Sequence, residues 1–358
     1  MSRIYNFSAG PAVLPLEVLE EARDEMVNYK GCGMSVMEMS HRGKVYSEIH
    51  AEAKQNIRDL MGLTDDYEVL FIQGGASLQF AMIPMNFLGK DAVADYVCSG
   101  NWGAQAIKQA RLVGQVNVVA DCEKDIPTRM PRDGECKWTP GAAYAHITSN
   151  ETISGAQWKV LPKTEAPLVA DMSSDILSRP FDAKDFAMIY AGAQKNLGPA
   201  GMALVVIRKD FAERGNKALP TMLKYSTFIE KDSLYNTPPC YSIYMLMLTT
   251  RWLKKFGLEN MHRQNVEKAA RLYAAIDADG FYRGTAEKEF RSDMNVTFRL
   301  PTEELEAQFC AEAKKAGLDG LKGHRSVGGI RASIYNAFPP EGVDRLVDFM
   351  AEFKKRFG

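Results

Sequence analysis

Between Tyr67 and Ile207, short apolar runs alternate with segments of helical periodicity, and few folds accommodate that alternation. Residues 69–72, 93–98, 116–119, 143–147, 167–171, 186–190 and 202–207 each have the length and apolar content of a strand. Helical patterns run from Gly74-Gly75-Ala76-Ser77 to Leu88, and from Gly100-Asn101-Trp102-Gly103 to Val113. Strands and helices in this order predict an α/β fold. Its sheet is mostly parallel, covered by helices and joined by right-handed crossovers.

The flanks read differently. Val18, Leu19, Ala22 and Met26 mark a helix from 16 to about 29, and Tyr46, Ile49, Ala53, Ile57 and Leu60 mark another. Beyond the last strand of the alternation, 242–256 and 261–276 are helical. The order is then strand (295–300), helix (303–316), strand (330–334) and helix (343–357). This tail predicts a smaller α+β domain, with a border near Gly257.

The last two strands of the alternation flank Ala191-Gly192-Ala193-Gln194-Lys195-Asn196-Leu197-Gly198-Pro199-Ala200-Gly201. A single lysine thus sits between two interior strands. Burial disfavours the charged amine, and a partly neutral lysine can form a Schiff base with a carbonyl. Taken alone, a lysine in a turn more often snorkels to the surface.

Its companions weigh against that. Asp171 ends a strand where open α/β sheets place ligands, although taken alone it reads better as a helix N-cap or turn residue, which the following Ser173-Ser174 favours. Trp102 lies in a Gly-rich turn after a strand, free to stack on a flat ring or to join a satellite core. Gly74-Gly75-Ala76-Ser77 leaves backbone N–H groups free at a helix start, although it is neither a Walker A loop nor GxGxxG. Thr152 is a further hydroxyl past a strand end. His41-Arg42 and His324-Arg325 are paired cations in loops, and Arg331 opens an apolar strand, suited to a carboxylate or an internal ion pair.

Composition excludes several classes. A net charge of -1 gives no bulk attraction to nucleic acid or anionic membranes. The six cysteines form no CxxC pair, so neither a zinc site nor a disulfide framework is expected, and no metal is assigned. No apolar run has membrane-spanning length, and the first fifteen residues lack a signal-peptide core, so a cytoplasmic location is expected.

A buried lysine, an upstream carboxylate, an indole, a Gly-rich helix start and several arginines together suit pyridoxal 5'-phosphate. Here the chain resembles the phosphoserine aminotransferases, class V members of the fold type I architecture. Phe7-Ser8-Ala9-Gly10-Pro11, Met39-Ser40-His41-Arg42-Gly43, Tyr190 through Asn196, Asn236-Thr237-Pro238-Pro239, Gly323-His324-Arg325 and Arg331 through Ala337 carry the likeness, which runs nearly end to end. The resemblance implies a seven-stranded large domain over 16–257, with 1–15 and 258–358 forming the small one. It implies that Lys195 binds the cofactor aldehyde, Asp171 its ring nitrogen, Trp102 its ring face and Thr152 its ring hydroxyl side. The cofactor phosphate falls to Ala76, Ser77 and Gln194, with Asn236 and Thr237 reaching over from the second subunit of a homodimer. Arg331 resembles the substrate carboxylate clamp. His41 and Arg42, with His324 and Arg325 from the partner, resemble the substrate-phosphate site. Some relatives have an arginine where this chain has Ser77, so a phosphate contact is missing or replaced.

The implied reaction interconverts 3-phosphohydroxypyruvate plus glutamate with O-phosphoserine plus 2-oxoglutarate, in serine biosynthesis. Two rivals are weaker. A desulfurase of the same fold needs a mobile reactive cysteine, and Cys240 beside Pro238-Pro239 reads better as helix packing. A nicotinamide oxidoreductase lacks its GxGxxG fingerprint.

Overall fold

The computed structural model describes residues 3–358. Seven strands form the main sheet: β1 (Tyr67–Gln73), β2 (Val93–Cys98), β3 (Gln115–Asp121), β4 (Ala145–Thr148), β5 (Leu168–Asp171), β6 (Met188–Gly192) and β7 (Met202–Arg208). Their spatial order is β1-β7-β6-β5-β4-β2-β3. β7 pairs antiparallel with both neighbours, while the remaining pairs are parallel. The exception follows from length: the short link after β6 can turn the chain back, whereas a parallel return needs a long crossover. The carboxyl ends of β1, β2, β4, β5 and β6 consequently share one edge of the sheet.

β5 and β6 are buried throughout, which explains their continuous apolar sequence. Alternate residues of β6 feed opposite cores: Ile189 and Ala191 join one, Met188 and Tyr190 the other. Helices Lys44–Met61 and Cys240–Phe256 cover the first face, and Gly75–Phe87 and Asn101–Ala110 the second. A third core collects Phe7, Leu272, Phe298, Ile330 and Phe353. It lies between the antiparallel sheet Arg283–Gly284, Asn295–Arg299, Ile330–Ser333 and the helices Leu258–Asp277, Glu303–Lys315 and Pro340–Phe357. The opening strand Tyr5–Asn6 pairs in parallel with Leu318–Asp319, which ties the start of the chain to this third core.

Two helices end earlier than their sequence pattern suggests. The first spans Leu16–Asp24, not 16–29: Met26 N–H already turns back to the Arg23 carbonyl, and a short 3-10 segment, Tyr29–Gly31, follows. The Trp102 helix stops at Ala110, where Leu112 and Val113 close tighter bonds to Gln109 and Ala110.

Candidate active site

The strand edge builds the site. Thr148 and Asp171 are register partners at the ends of β4 and β5, and Asp171 pairs with Tyr190 of β6. Open α/β sheets hold ligands in the crevice beyond such ends. A cavity of about 230 Å³ lies here, lined by Gly74 to Ser77, Phe80, Trp102, Thr148, Thr152, Asp171, Gln194 and Lys195, among others.

The lysine loop is closed by its own backbone. Ala193 N–H donates to the Met202 carbonyl at 2.9 Å, and the N–H groups of Leu197 and Gly198 reach the Ala193 carbonyl at 3.1 and 2.8 Å. From outside, Ala12 N–H donates to the Gln194 carbonyl at 2.9 Å. Lys195 is thereby turned inward and buried, and its Nζ donates to Thr152 Oγ1 at 2.6 Å. Burial lowers its pKa to about 8, although the charges of Asp171 and Glu151 act in the opposite direction. The Trp102 ring centroid lies 5.7 Å from the same nitrogen.

Asp171 is held by one neighbour. Ser173 donates to Asp171 Oδ1 through its N–H at 2.9 Å and its hydroxyl at 2.5 Å. The same hydroxyl accepts from Gly192 N–H at 2.9 Å, which links the carboxylate to the end of β6. Burial raises the Asp171 pKa, while the Ser173 hydrogen bonds and the Lys195 charge oppose the rise. Behind it, Tyr190 shares a hydrogen bond with His146 Nε2 at 2.9 Å. Burial pulls that imidazole down to about 3, so it is neutral at ordinary pH.

The polar groups present fit a pyridoxal phosphate. Trp102 Nε1, Thr148 Oγ1 and Gln194 Oε1 are buried without a partner in the fold, each on a cavity-lining residue. Such atoms call for a ligand or water. Gly74, at φ 93, turns β1 into the helix Gly75–Phe87, whose first N–H groups open on the same cavity. An anion-binding helix start, a partly neutral amine and a buried carboxylate thus meet in one enclosure.

The structure brings Ala76, Ser77, Trp102, Thr152, Asp171, Gln194 and Lys195 together as the sequence suggested, with Trp102 in the first helical turn and not in a free turn. Arg331 stands just beyond Thr152, donating to its carbonyl at 3.4 Å, at the margin of a larger groove of about 880 Å³. That groove contains no lysine or buried carboxylate, so the smaller cavity is the chemical centre. His324 bonds Ser326, and its pKa is lowered by burial and by the charges of Arg331 and Arg325. Arg42, Arg325, Asn236 and Thr237 are exposed, His41 is half-buried, and none of these lines the cavity of its own chain. Gln73, at the end of β1, reaches the Thr237 carbonyl at 3.4 Å.

Sequence reasoning passed over Ser173, Thr148 and Glu151. Ser173 was visible only as a neighbour that favoured a capping or turn role for Asp171. Glu151 gave one faint signal, Gly100 ahead of Asn101-Trp102, whose need for space is unintelligible until the carboxylate is seen against it.

Comparison with known proteins agrees with this geometry. The family model for class-V aminotransferases matches residues 4–346. The chain belongs to the class-V aminotransferases. It is 54% identical over 359 residues to the phosphoserine aminotransferase of Geobacillus kaustophilus (strain HTA426), covering 100% of both chains. The solved phosphoserine aminotransferase from Bacillus circulans subsp. alkalophilus superposes with a TM-score of 0.97, at 53% identity and 99% coverage of each chain. A pyridoxal-phosphate-bound phosphoserine aminotransferase from Trichomonas vaginalis gives 0.94 at 41% identity, over 98% of this chain and 100% of that one. Within the class, the chain belongs with the phosphoserine aminotransferases.

Proposed function

We infer that this chain is a pyridoxal-phosphate-dependent transaminase that interconverts 3-phosphohydroxypyruvate plus L-glutamate with O-phospho-L-serine plus 2-oxoglutarate, a step of serine biosynthesis. The observation that carries the chemistry is Lys195, buried, pulled to about 8 and facing an indole and a carboxylate-lined cavity. Bound there, the cofactor supplies an aldehyde for amine exchange and a ring that accepts the electron pair released at the substrate α-carbon.

The residues divide the work. Lys195 Nζ would take the proton from the substrate α-carbon and deliver it to the C4′ carbon of the cofactor; at pH 7 an amine of pKa near 8 is neutral about one time in ten, enough for a base. Thr152 Oγ1 steadies that nitrogen between proton transfers. Asp171 keeps a proton on the ring nitrogen by charge. Trp102 covers one ring face and excludes water. The helix start at Gly75–Ser77 and Gln194 receive the cofactor phosphate, with Asn236 and Thr237 of a second copy. Arg331 takes the substrate carboxylate. His41 and Arg42, with His324 and Arg325 of the second copy, take the substrate phosphate.

The chain is proposed to act as a cytoplasmic homodimer, its large domain over 16–257 and its small domain from 1–15 and 258–358. Among the described residues no helix is long and apolar enough to cross a membrane. Val27, Met34 and Met37 are exposed apolar side chains just before His41 and Arg42, which supports a covered surface there. Mixing inactive Lys195→Ala protein with inactive Thr237→Trp protein is expected to restore activity, because some hybrid dimers contain one intact site. No recovery after verified subunit exchange rules out the shared site.

Substrate choice is the direct test. Charge-assisted hydrogen bonds contribute roughly 1.5–3 kcal/mol each. Two or three of them favour O-phosphoserine over serine by several orders of magnitude in kcat/KM. Arg42→Ala and Arg325→Ala are each expected to erode that preference and leave the visible band of the bound cofactor unchanged. The half-reactions are followed through that band. Equal reactivity of serine and phosphoserine in the wild type excludes the phosphate pocket.

A further inference from the structure

Glu151 is fully buried and no cation pairs with it among the described residues. A lone buried carboxylate is costly unless hydrogen bonds satisfy it. Here it stands at the start of the helix Asn101–Ala110. Its Oε2 accepts from Trp102 N–H at 3.2 Å; its Oε1 accepts from Gly103 N–H at 3.1 Å and from the Ser99 hydroxyl at 3.1 Å. Two of these are first-turn N–H groups that the helix itself leaves unpaired.

Gly100, at the helix start, makes room for this side chain, and Gly103 makes room for the end of the preceding strand. A Cβ at Gly100 would stand 2.7 Å from Glu151 Cδ, and one at Gly103 would be 2.9 Å from the Val97 carbonyl and 3.5 Å from Glu151 Oε1. Meanwhile the Trp102 indole N–H has no partner in the fold. The polar tether that fixes Trp102 is therefore its backbone bond to Glu151. The next residue along, Thr152, accepts from Lys195 Nζ. One dipeptide thus anchors both the indole wall and the catalytic amine.

We propose that Glu151 is a positioning residue, whose carboxylate fixes the first turn of the Trp102 helix and with it the indole face over the cofactor cavity. This rests on the reading that pyridoxal phosphate binds there. Burial, opposed by the three hydrogen bonds, pushes the Glu151 carboxyl up to about 7, and the Asp171 charge adds to the rise.

The test compares wild-type holoenzyme with Glu151→Gln and Glu151→Asp. An amide has one acceptor oxygen, so in either orientation its NH2 meets a backbone N–H donor, of Trp102 or of Gly103. Glu151→Gln is expected to release cofactor about tenfold faster on dilution and to lower kcat by a similar factor. The near-ultraviolet circular dichroism of the indole should change, with KM for glutamate within about twofold because Arg331 is untouched. Glu151→Asp, which retains the charge, should recover part of each effect. Should Glu151→Gln fail to fold, Ser99→Ala removes one donor from the same carboxylate, and about threefold faster cofactor release is expected. A folded Glu151→Gln enzyme with wild-type cofactor release, kcat and indole spectrum overturns the proposal, even if its melting temperature falls. So does a Ser99→Ala enzyme unchanged in release where it is the variant used. A wild-type enzyme without a borohydride-bleached visible band would instead overturn the cofactor reading.

Discussion

Lys195→Ala is expected to lose turnover by about 10⁴-fold or more, and to lose the visible band that borohydride bleaches. No other amine in the cavity lining can replace it: the remaining lining groups are hydroxyls, amides, a carboxylate, aromatic rings and small residues. The amine also sets a pH dependence. Burial lowers its pKa from 10.5 to about 8, so the reactive neutral form grows with pH up to that point and levels off above it. Cofactor capture by enzyme stripped of it should rise about tenfold per pH unit below 8 and then plateau. Stopped-flow absorbance measures this. A capture rate still climbing steeply at pH 10 would mean an ordinary exposed lysine. Full activity in Lys195→Ala would remove the assignment altogether.

Asp171→Asn comes next in size. A carboxylate about 3 Å from a protonated ring nitrogen contributes about 5 kcal/mol at an effective dielectric near 20. Losing it should slow single turnovers by roughly 10³-fold, while Lys195 and the helix start still retain cofactor. Ser173 would still donate to the amide oxygen, so the side chain stays in place and the charge alone is lost. Single-turnover rates within about a factor of two of wild type would show that Asp171 is not the ring partner.

The main sheet was readable because both its faces are buried. β5 and β6 cannot alternate polar and apolar residues, so they stand out as short continuous apolar runs. The catalytic loop was readable for a related reason. Lys195 lies just past such a run, in a short link between two interior strands, and its companions Asp171 and Trp102 gave the inward reading its weight; the backbone bonds that turn it inward appear only in the fold. Glu151 was not readable, since its meaning lies in Ser99, Trp102 and Gly103, about fifty positions upstream, and no local pattern encodes that meeting. The exposed cations were readable only by family likeness. His41, Arg42, His324 and Arg325 lie in loops whose spacing carries no period. Helix ends were overrun where apolar periodicity outran the backbone, as past Asp24, where Met26 N–H turns back to the Arg23 carbonyl.

The opening segment has a consequence for how the enzyme is made. Ala12 braces Gln194 in the lysine loop, and Gly10 passes close to the Lys195 side chain. The same segment is moored by Tyr5–Asn6 to Leu318–Asp319, and the Ala9 carbonyl accepts from the Tyr335 hydroxyl at 2.7 Å. Residues 5–12 therefore reach their places only together with partners some three hundred positions further along the chain. Until the chain is synthesised past Asp319, the strap across the reactive lysine has no far anchor, and the Tyr335 hydroxyl adds a second one later. A chain cut before Leu318 lacks the anchors of the clasp that braces the lysine loop from outside.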